Sequence, residues 1–329
     1  VHCRFSQHLI ERLTKKTLQD QPMNHQEEQT PSKIRVIVFP GIQNLPHYAA
    51  LEQGFYTKHQ VEVDVHFTQS SHEQRQGLSQ NLFDLAHSAV DNALEMILHA
   101  HLDIKIVIGL DQAFNQLVTR AGITKYSDLV GKTLGVDAPD TAFALVAYEM
   151  LKQHGIDRDQ YKVLAVGATS HRLEALKAGQ VDFSLLTLPF NLLARDAGLS
   201  FLDCPFDALG VYQSTGGFVH APWAKANAKT LTRYLSAYIE GLRYVLDPVN
   251  QSSTVALIER NLKLSLSHAQ SCYAQVTHPL SGFFKDAKLS VEGFQQVLSL
   301  RQKFEGSAID HDLDAFYDDR YYQSALELI

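Results

Sequence analysis

The sequence predicts an α/β chain built as two related halves, and three observations carry that reading. Short apolar runs alternate with helical patterns from Ile34 to Leu110 and again from Thr133 to Leu186, as strand–helix–strand units do. The two stretches align at an offset of about 98 residues, so that Leu78, Asn81 and Asp84 fall on Leu176, Gly179 and Asp182. In each copy a helix leaves through Asn or Gly, which tolerate positive φ, and an Asp then leads into an apolar strand. Such alternation implies mainly parallel sheets with right-handed crossovers.

Ile34 to Phe39 (IRVIVF) reads as a buried strand, and Pro40, Gly41 and Asn44 mark the loop after it. A helix over Pro46 to Gln53 accepts Pro46 in its first turn, where no N–H is needed, and Gly54 stops it. Val61 to Phe67 alternates as a strand, Ser70 to Ser79 is a polar helix, and Asp84 to Ala86 leads into a short strand. A loop over Ser88 to Asn92, a helix to about His101 and a strand over Ile104 to Leu110 follow. The second copy runs through a strand (Thr133 to Val136), a loop (Ala138 to Thr141) and a helix (Phe143 to Gln153) closed by Gly155. It continues with a strand (Tyr161 to Val166), a helix (Thr169 to Ala178) and a strand (Val181 to Leu186). Beyond it, Val211 to Val219 reads as a strand returning to the first half, and Ala226 to Leu246 as one long helix stopped by Asp247 and Pro248. Helices over Thr254 to Leu264, Leu266 to Thr277 and Val291 to Phe304 form a tail expected to pack onto an existing lobe.

Composition narrows the function classes. The chain has 329 residues, 45% apolar and 20% charged, which is ordinary globular composition and long enough for about two domains. A net charge of −7 excludes a whole-chain basic footprint for nucleic acid. Cys3, Cys204 and Cys272 lie far apart with no C-x-x-C, so neither a zinc knuckle nor a dithiol redox pair is suggested. No apolar run approaches the ~18 residues of a membrane span. Residues 1–33 hold no apolar leader core and are read as an extension or linker, with Phe5 to Leu18 as a short amphipathic helix.

Catalytic motifs fail. Gly131-Lys132-Thr133 ends like a phosphate-binding loop, but Tyr126 stands where the pattern requires Gly. No second His follows His72-Glu73 at zinc-binding spacing, no G-x-S-x-G occurs, and no G-x-G-x-x-G follows either opening strand. The sixteen histidines are scattered, Asp310-His311-Asp312 reads as a solvated loop, and no metal site or cofactor is expected.

Four segments carry a resemblance. Pro46-His47-Tyr48-Ala49-Ala50-Leu51-Glu52-Gln53-Gly54-Phe55-Tyr56 resembles the opening of substrate-binding proteins of ABC importers, in the nitrate, sulfonate and thiamine-precursor group. Phe83-Asp84-Leu85-Ala86 resembles that group's G-x-x-D-hydrophobic-Ala passage, with Asn81 in place of Gly. Asp128 to Val136 (DLVGKTLGV) and Leu176 to Asp182 (LKAGQVD) are similar to two further family segments. The resemblance implies a type II periplasmic-binding-protein fold: two α/β lobes joined by two crossing strands, with a helical C-terminal tail. Lobe 1 is then expected over 34–112 and 212–329 and lobe 2 over 113–211, with crossings near Asp111 to Asn115 and Ala208 to Tyr212.

In open α/β sheets ligands sit beyond the carboxyl ends of strands, where helix N-termini offer free N–H groups. Four loops qualify: Phe39 to Asn44, Ser88 to Asn92, Asp137 to Thr141 and Gly167 to His171. The expected ligand-binding residues are Phe39, Gln43, Asn44, Ser88, Asp91, Asn92, Asp111, Asp140, Thr141, Thr169, Ser170, His171 and Thr187. Phe39 either stacks on a flat ligand or packs in the core, and the hydroxyls either contact ligand or cap helices. Gly216 and Gly217 permit a close approach or a bend. Only His171 and Arg172 are cationic near these loops, whereas Asp91, Asp111, Asp137 and Asp140 are acidic. That balance favours a neutral or amine-bearing heterocycle, such as a pyrimidine, over a strong anion.

The expected function is delivery of a small polar organic molecule, pyrimidine-like or sulfonate-like, to an ABC permease and its ATPase. The protein is expected to be a monomer without nucleic-acid partners or enzyme activity. The rival is a cytoplasmic enzyme or sensor on the same fold. The group includes a pyrimidine synthase with a cysteine-rich motif and an aromatic desulfinase with a cysteine nucleophile in the first loop. Phe39 to Tyr48 contains no Cys, and no Cys cluster exists, which weighs against both. Location is periplasmic or extracytoplasmic by resemblance, and the lack of a leader within 1–33 leaves the cytoplasm open.

Overall fold

The computed structural model describes residues 30–112, 114–279, 281–306, 308–309 and 312–329, and only the backbone of 206 and 207. The helix expected over Phe5 to Leu18 and the Asp310-His311 pair lie outside the described residues. The first half gives β1 (Ser32–Val38), α1 (Leu45–Glu52), α2 (Phe55–Lys58), β2 (Val61–Phe67), α3 (Ser71–Ser79), β3 (Leu85–Ala89), α4 (Asp91–Leu98) and β4 (Ile104–Gly109). The chain then forms β5 (Gln116–Thr119), β6 (Thr133–Val136), α5 (Ala142–Gln153), β7 (Lys162–Ala165), α6 (Thr169–Lys177), β8 (Phe183–Leu186), α7 (Phe190–Asp196), β9 (Ser200–Phe201) and α8 (Pro205–Leu209). It returns through β10 (Thr215–His220) and continues in α9 (Ala221–Ala226), α10 (Ala228–Leu246), α11 (Gln251–Leu262), α12 (Leu266–Val276), α13 (Val291–Glu305) and α14 (Arg320–Leu326).

Two five-stranded sheets result, ordered β2-β1-β3-β10-β4 and β7-β6-β8-β5-β9. Their plans match. β1 pairs in parallel with β2 and β3, as β6 does with β7 and β8. Each sheet then takes in a strand on the far side of a chain crossing: β10 is antiparallel to β3 and β4, and β5 is antiparallel to β8 and β9. The expectation of mainly parallel sheets is thereby corrected to mixed sheets. A strand that enters directly from the other half, with no crossover helix, is free to run antiparallel.

The 98-residue repeat holds at the level of single hydrogen bonds. The Asp84 N–H donates to the Arg35 carbonyl (2.8 Å) and its carboxylate accepts from the Arg35 N–H (2.8 Å). Asp182 does the same with Thr133, at 2.8 and 3.0 Å. In both halves an Asp at the strand entry thus pins one central strand to its neighbour. Asn81 (φ 55°) and Gly179 (φ 71°) make the left-handed exits that the alignment requires.

The long helix expected over Ala226 to Leu246 is α10, which starts two residues later, at Ala228, because Asn227 (φ −119°, ψ 30°) parts it from the short α9. The Asn227 side-chain amide donates to the Trp223 carbonyl at 3.0 Å, a local bond that competes with the helical ladder. Helix α10 buries Leu231, Tyr234, Leu235, Tyr238, Leu242 and Val245 in the core of the first half. Gly241 lets it lie against α1, for a Cβ there would stand 2.1 Å from the Pro46 carbonyl oxygen. Helix α13 spans both halves. Its Arg301 binds the Asp91 carboxylate in a fork at 2.6 and 2.6 Å and donates to the Asp140 carbonyl (3.0 Å), while its Lys303 pairs with Glu149 of α5 (2.6 Å).

Candidate ligand-binding cleft

The carboxyl ends of both sheets open onto one cavity with about 890 Å³ of empty space, counting its mouth. From the first half it is lined by Phe39, Gln43, Asn44, Ser88 and Asn92, and from the second by Thr141, Thr169, Ser170 and Thr187. These are the ends of β1, β3, β6, β7 and β8 and the starts of the helices after them. Local sequence places them. Asn44 is fixed by its own amide, which donates to the Phe39 (2.7 Å) and Gly41 (3.3 Å) carbonyls. Ser88 donates to Gln74 (2.6 Å) and accepts from the Asn92 amide (3.2 Å).

Four expected residues lie elsewhere. Asp91 points away from the cavity into the Arg301 fork. Asp111 is fully buried, and its carboxylate accepts from the Thr215 hydroxyl. Asp140 and His171 are exposed, outside the lining. Of the acidic set, then, only Asp137 faces the cavity.

The lining also holds residues that the sequence reading left off its site, among them Gln69, Ser71, His87, Phe143, Arg172, Phe190 and Thr215. Ser71 stands 98 residues before Thr169, so the repeat itself carried the signal for it. Among the described residues, three direct bonds join the halves across the cleft: Gln43 amide to Thr187 hydroxyl (3.3 Å), Ser71 hydroxyl to Asp137 (3.3 Å), and Ser170 hydroxyl to Gln69 (3.4 Å).

Charge in the lining is balanced. Arg172, 1% exposed, donates to Gly167 O (2.9 Å), Thr169 Oγ1 (2.9 Å) and Leu185 O (3.2 Å). Burial lowers its pKa, and Asp137, 3.8 Å away, opposes that shift. Asp137 in turn accepts from Thr141 Oγ1 at 2.5 Å. His87 is uncharged, because burial pulls its pKa down to about 3. Its Nε2 bonds the Tyr234 hydroxyl (2.9 Å) and its ring stacks on Tyr238 (4.7 Å between centroids). Behind it, Tyr234 stacks on Tyr56, whose hydroxyl meets His47 Nδ1 at 2.7 Å.

Among the described residues, no cysteine lines the cavity. Cys272 is buried in the core of the first half with its thiol pushed up to about 12, and neither it nor Cys204 lines the cavity. Outside the cleft, Glu95, His99 and Glu305 converge with metal-like spacing, but both carboxylates already accept from Arg301 at 2.9 and 2.8 Å.

Two matching α/β halves with a cavity at their shared strand ends define a periplasmic-binding-protein fold. The chain belongs to the NMT1/THI5-like family, whose model matches residues 42–251. No curated protein matches it by sequence. Among solved structures it is similar to the ligand-binding component of an ABC-type import system from Staphylococcus aureus with zinc bound (TM-score 0.76, 13% identity, 89% of this chain and 99% of that one). It is also similar to the periplasmic nitrate-binding protein NrtA from Synechocystis PCC 6803 (0.75, 12%, 91% and 89%). A third similar structure is the desulfurization enzyme DSZB (0.63, 14%, 90% and 99%). At these identities the likeness shows the fold alone.

Proposed function

We propose that the protein is the solute-binding component of an ABC importer and holds one small polar organic molecule, pyrimidine-like or sulfonate-like, between its lobes. One observation carries this reading: the strand ends of both halves meet in one cavity, walled mainly by apolar surface and set with polar groups, which side-chain bonds span. Residues 34–112 and 212–329 form lobe 1 and residues 113–211 lobe 2. Phe39 and Phe143 offer faces to a flat ligand. Gln43, Asn44, Ser88, Asn92, Thr141, Thr169, Ser170 and Thr187 supply hydrogen bonds. On this reading, closure presents a changed surface to a membrane permease, and the protein works outside the cytoplasm as a monomer.

The fold shared with a desulfurization enzyme keeps one rival, a cytoplasmic enzyme or sensor. The test is mass spectrometry of material released when the purified protein is denatured, followed by calorimetry with the compound found. Stoichiometric binding without conversion is expected. Turnover of that compound would reject the carrier reading.

A further inference from the structure

We propose that Asp137 is a built-in counter-ion for Arg172 and restricts the cleft to ligands without net charge; this rests on the ligand-binding reading above. Among the described residues, Asp137 and Arg172 are the only ionised side chains in the lining, since His87 is neutral. Their formal charges cancel.

The pair is fixed on both sides. Three acceptors hold the Arg172 guanidinium, which is almost wholly buried. Asp137 is tied by Thr141 at 2.5 Å and, across the cleft, by Ser71 at 3.3 Å. Neither side chain is placed to swing away when a ligand enters. Residues at the starts of α5 and α6 line the same cavity and add partial positive charge. Without Asp137, those helix ends and Arg172 would make an anion site. With it, an incoming sulfonate or nitrate meets a carboxylate in a partly desolvated space, where like charges repel strongly.

The repeat shows that this pair is particular to one lobe. Residues 98 before Asp137 and Arg172 are Phe39 and Gln74, both neutral. Gln74 occupies the Arg172 position, fully buried, donating to the His87 carbonyl at 3.3 Å as Arg172 donates to the Leu185 carbonyl. A fold that needs only a buried donor there is satisfied by Gln, so the ion pair of lobe 2 serves the cavity rather than the scaffold.

The test is isothermal titration calorimetry of the full chain with ethanesulfonate and nitrate as anions and 4-aminopyrimidine, at a pH where it is uncharged. Wild type, Asp137→Asn and Asp137→Asn/Arg172→Gln are compared. Asp137→Asn is expected to bind ethanesulfonate at least about tenfold more tightly than wild type, with the gain gone in the double variant. Equal ethanesulfonate affinity in wild type and Asp137→Asn overturns the proposal, as does a gain that survives loss of Arg172. Should Asp137→Asn fail to fold, the wild-type protein decides. A net anion released from it on denaturation, or greater thermal stabilisation by ethanesulfonate than by 4-aminopyrimidine, overturns the proposal. Turnover of a bound compound would instead end the carrier reading and leave this charge rule standing.

Discussion

Gln74 and Arg172 stand 98 residues apart, and each spans the floor of its own half to a carbonyl of the third strand, His87 O and Leu185 O. Both are almost wholly buried. The same backbone position is thus filled by a neutral donor in one lobe and a cation in the other. The scaffold of the two halves is conserved within the chain, while the chemistry at their shared seam has diverged.

The cross-cleft bonds hold the two halves together beside the Arg301–Asp140 and Lys303–Glu149 contacts of α13. The two neutral bonds are each worth about 0.5–1.5 kcal/mol net and the one to the Asp137 carboxylate about 1.5–3 kcal/mol, so removing all three moves the equilibrium toward separated lobes. Gln43→Ala/Ser71→Ala/Ser170→Ala is expected to show a larger radius of gyration in small-angle scattering than wild type. An unchanged scattering profile would show that other contacts hold the closed form.

Arg301 is the hub that fastens α13 to both halves. Its guanidinium is 3% exposed and serves Asp91, Glu95 and Glu305. Arg301→Met leaves the Asp91 carboxylate buried and uncompensated, and is expected to cost about 3–5 kcal/mol. Arg301→Lys keeps the charge but not the fork, and recovers only part of that loss. Urea unfolding of the three proteins measures both effects.

Stability should fall on mild acidification. Burial holds the imidazole of His47 down at about 4 and that of His87 at about 3, against an ordinary value near 6.5. Between those values the unfolded chain binds protons that the folded chain does not. The stabilisation is therefore complete above about pH 6.5 and is lost as pH drops toward 4. With both groups counted, the slope near pH 5 is about 2–3 kcal/mol per pH unit. His87→Gln is expected to roughly halve it in unfolding curves taken at stepped pH.

Helix α10 tolerates no side chain where it crosses α1. A Cβ on Gly241 would lie 2.1 Å from Pro46 O and 2.9 Å from the Ala50 N. Both are backbone atoms, so the helices must part. Gly241→Ala is expected to destabilise by about 1–3 kcal/mol, read as a lowered thermal midpoint.

The fold was largely legible because its local signals agree with its tertiary plan. Val61 to Phe67 alternates, and the strand β2 has those bounds. Helix α6 starts at Thr169 as read. Strand β5 escaped because its four residues lie between the two copies, where no repeat supports so short a run, and α7, α8 and α14 because five to seven residues give no clear period. The cavity lining was legible where the loop carrying a residue follows a strand directly, as with Asn44 after β1 and Thr187 after β8. Asp91 was misleading for a physical reason. Its loop position is right, but its partner Arg301 lies 210 residues away, and nothing local signals which side of the helix start the carboxylate will take.

The sequence by itself determined the two-copy α/β plan, because strand length, helix exits and the strand-entry Asp are local properties repeated at a fixed spacing. The tertiary structure alone decided the electrostatics of the seam. Charges such as Asp137 and Arg172 act through distance and burial, and those are set only when segments far apart in the chain are packed together.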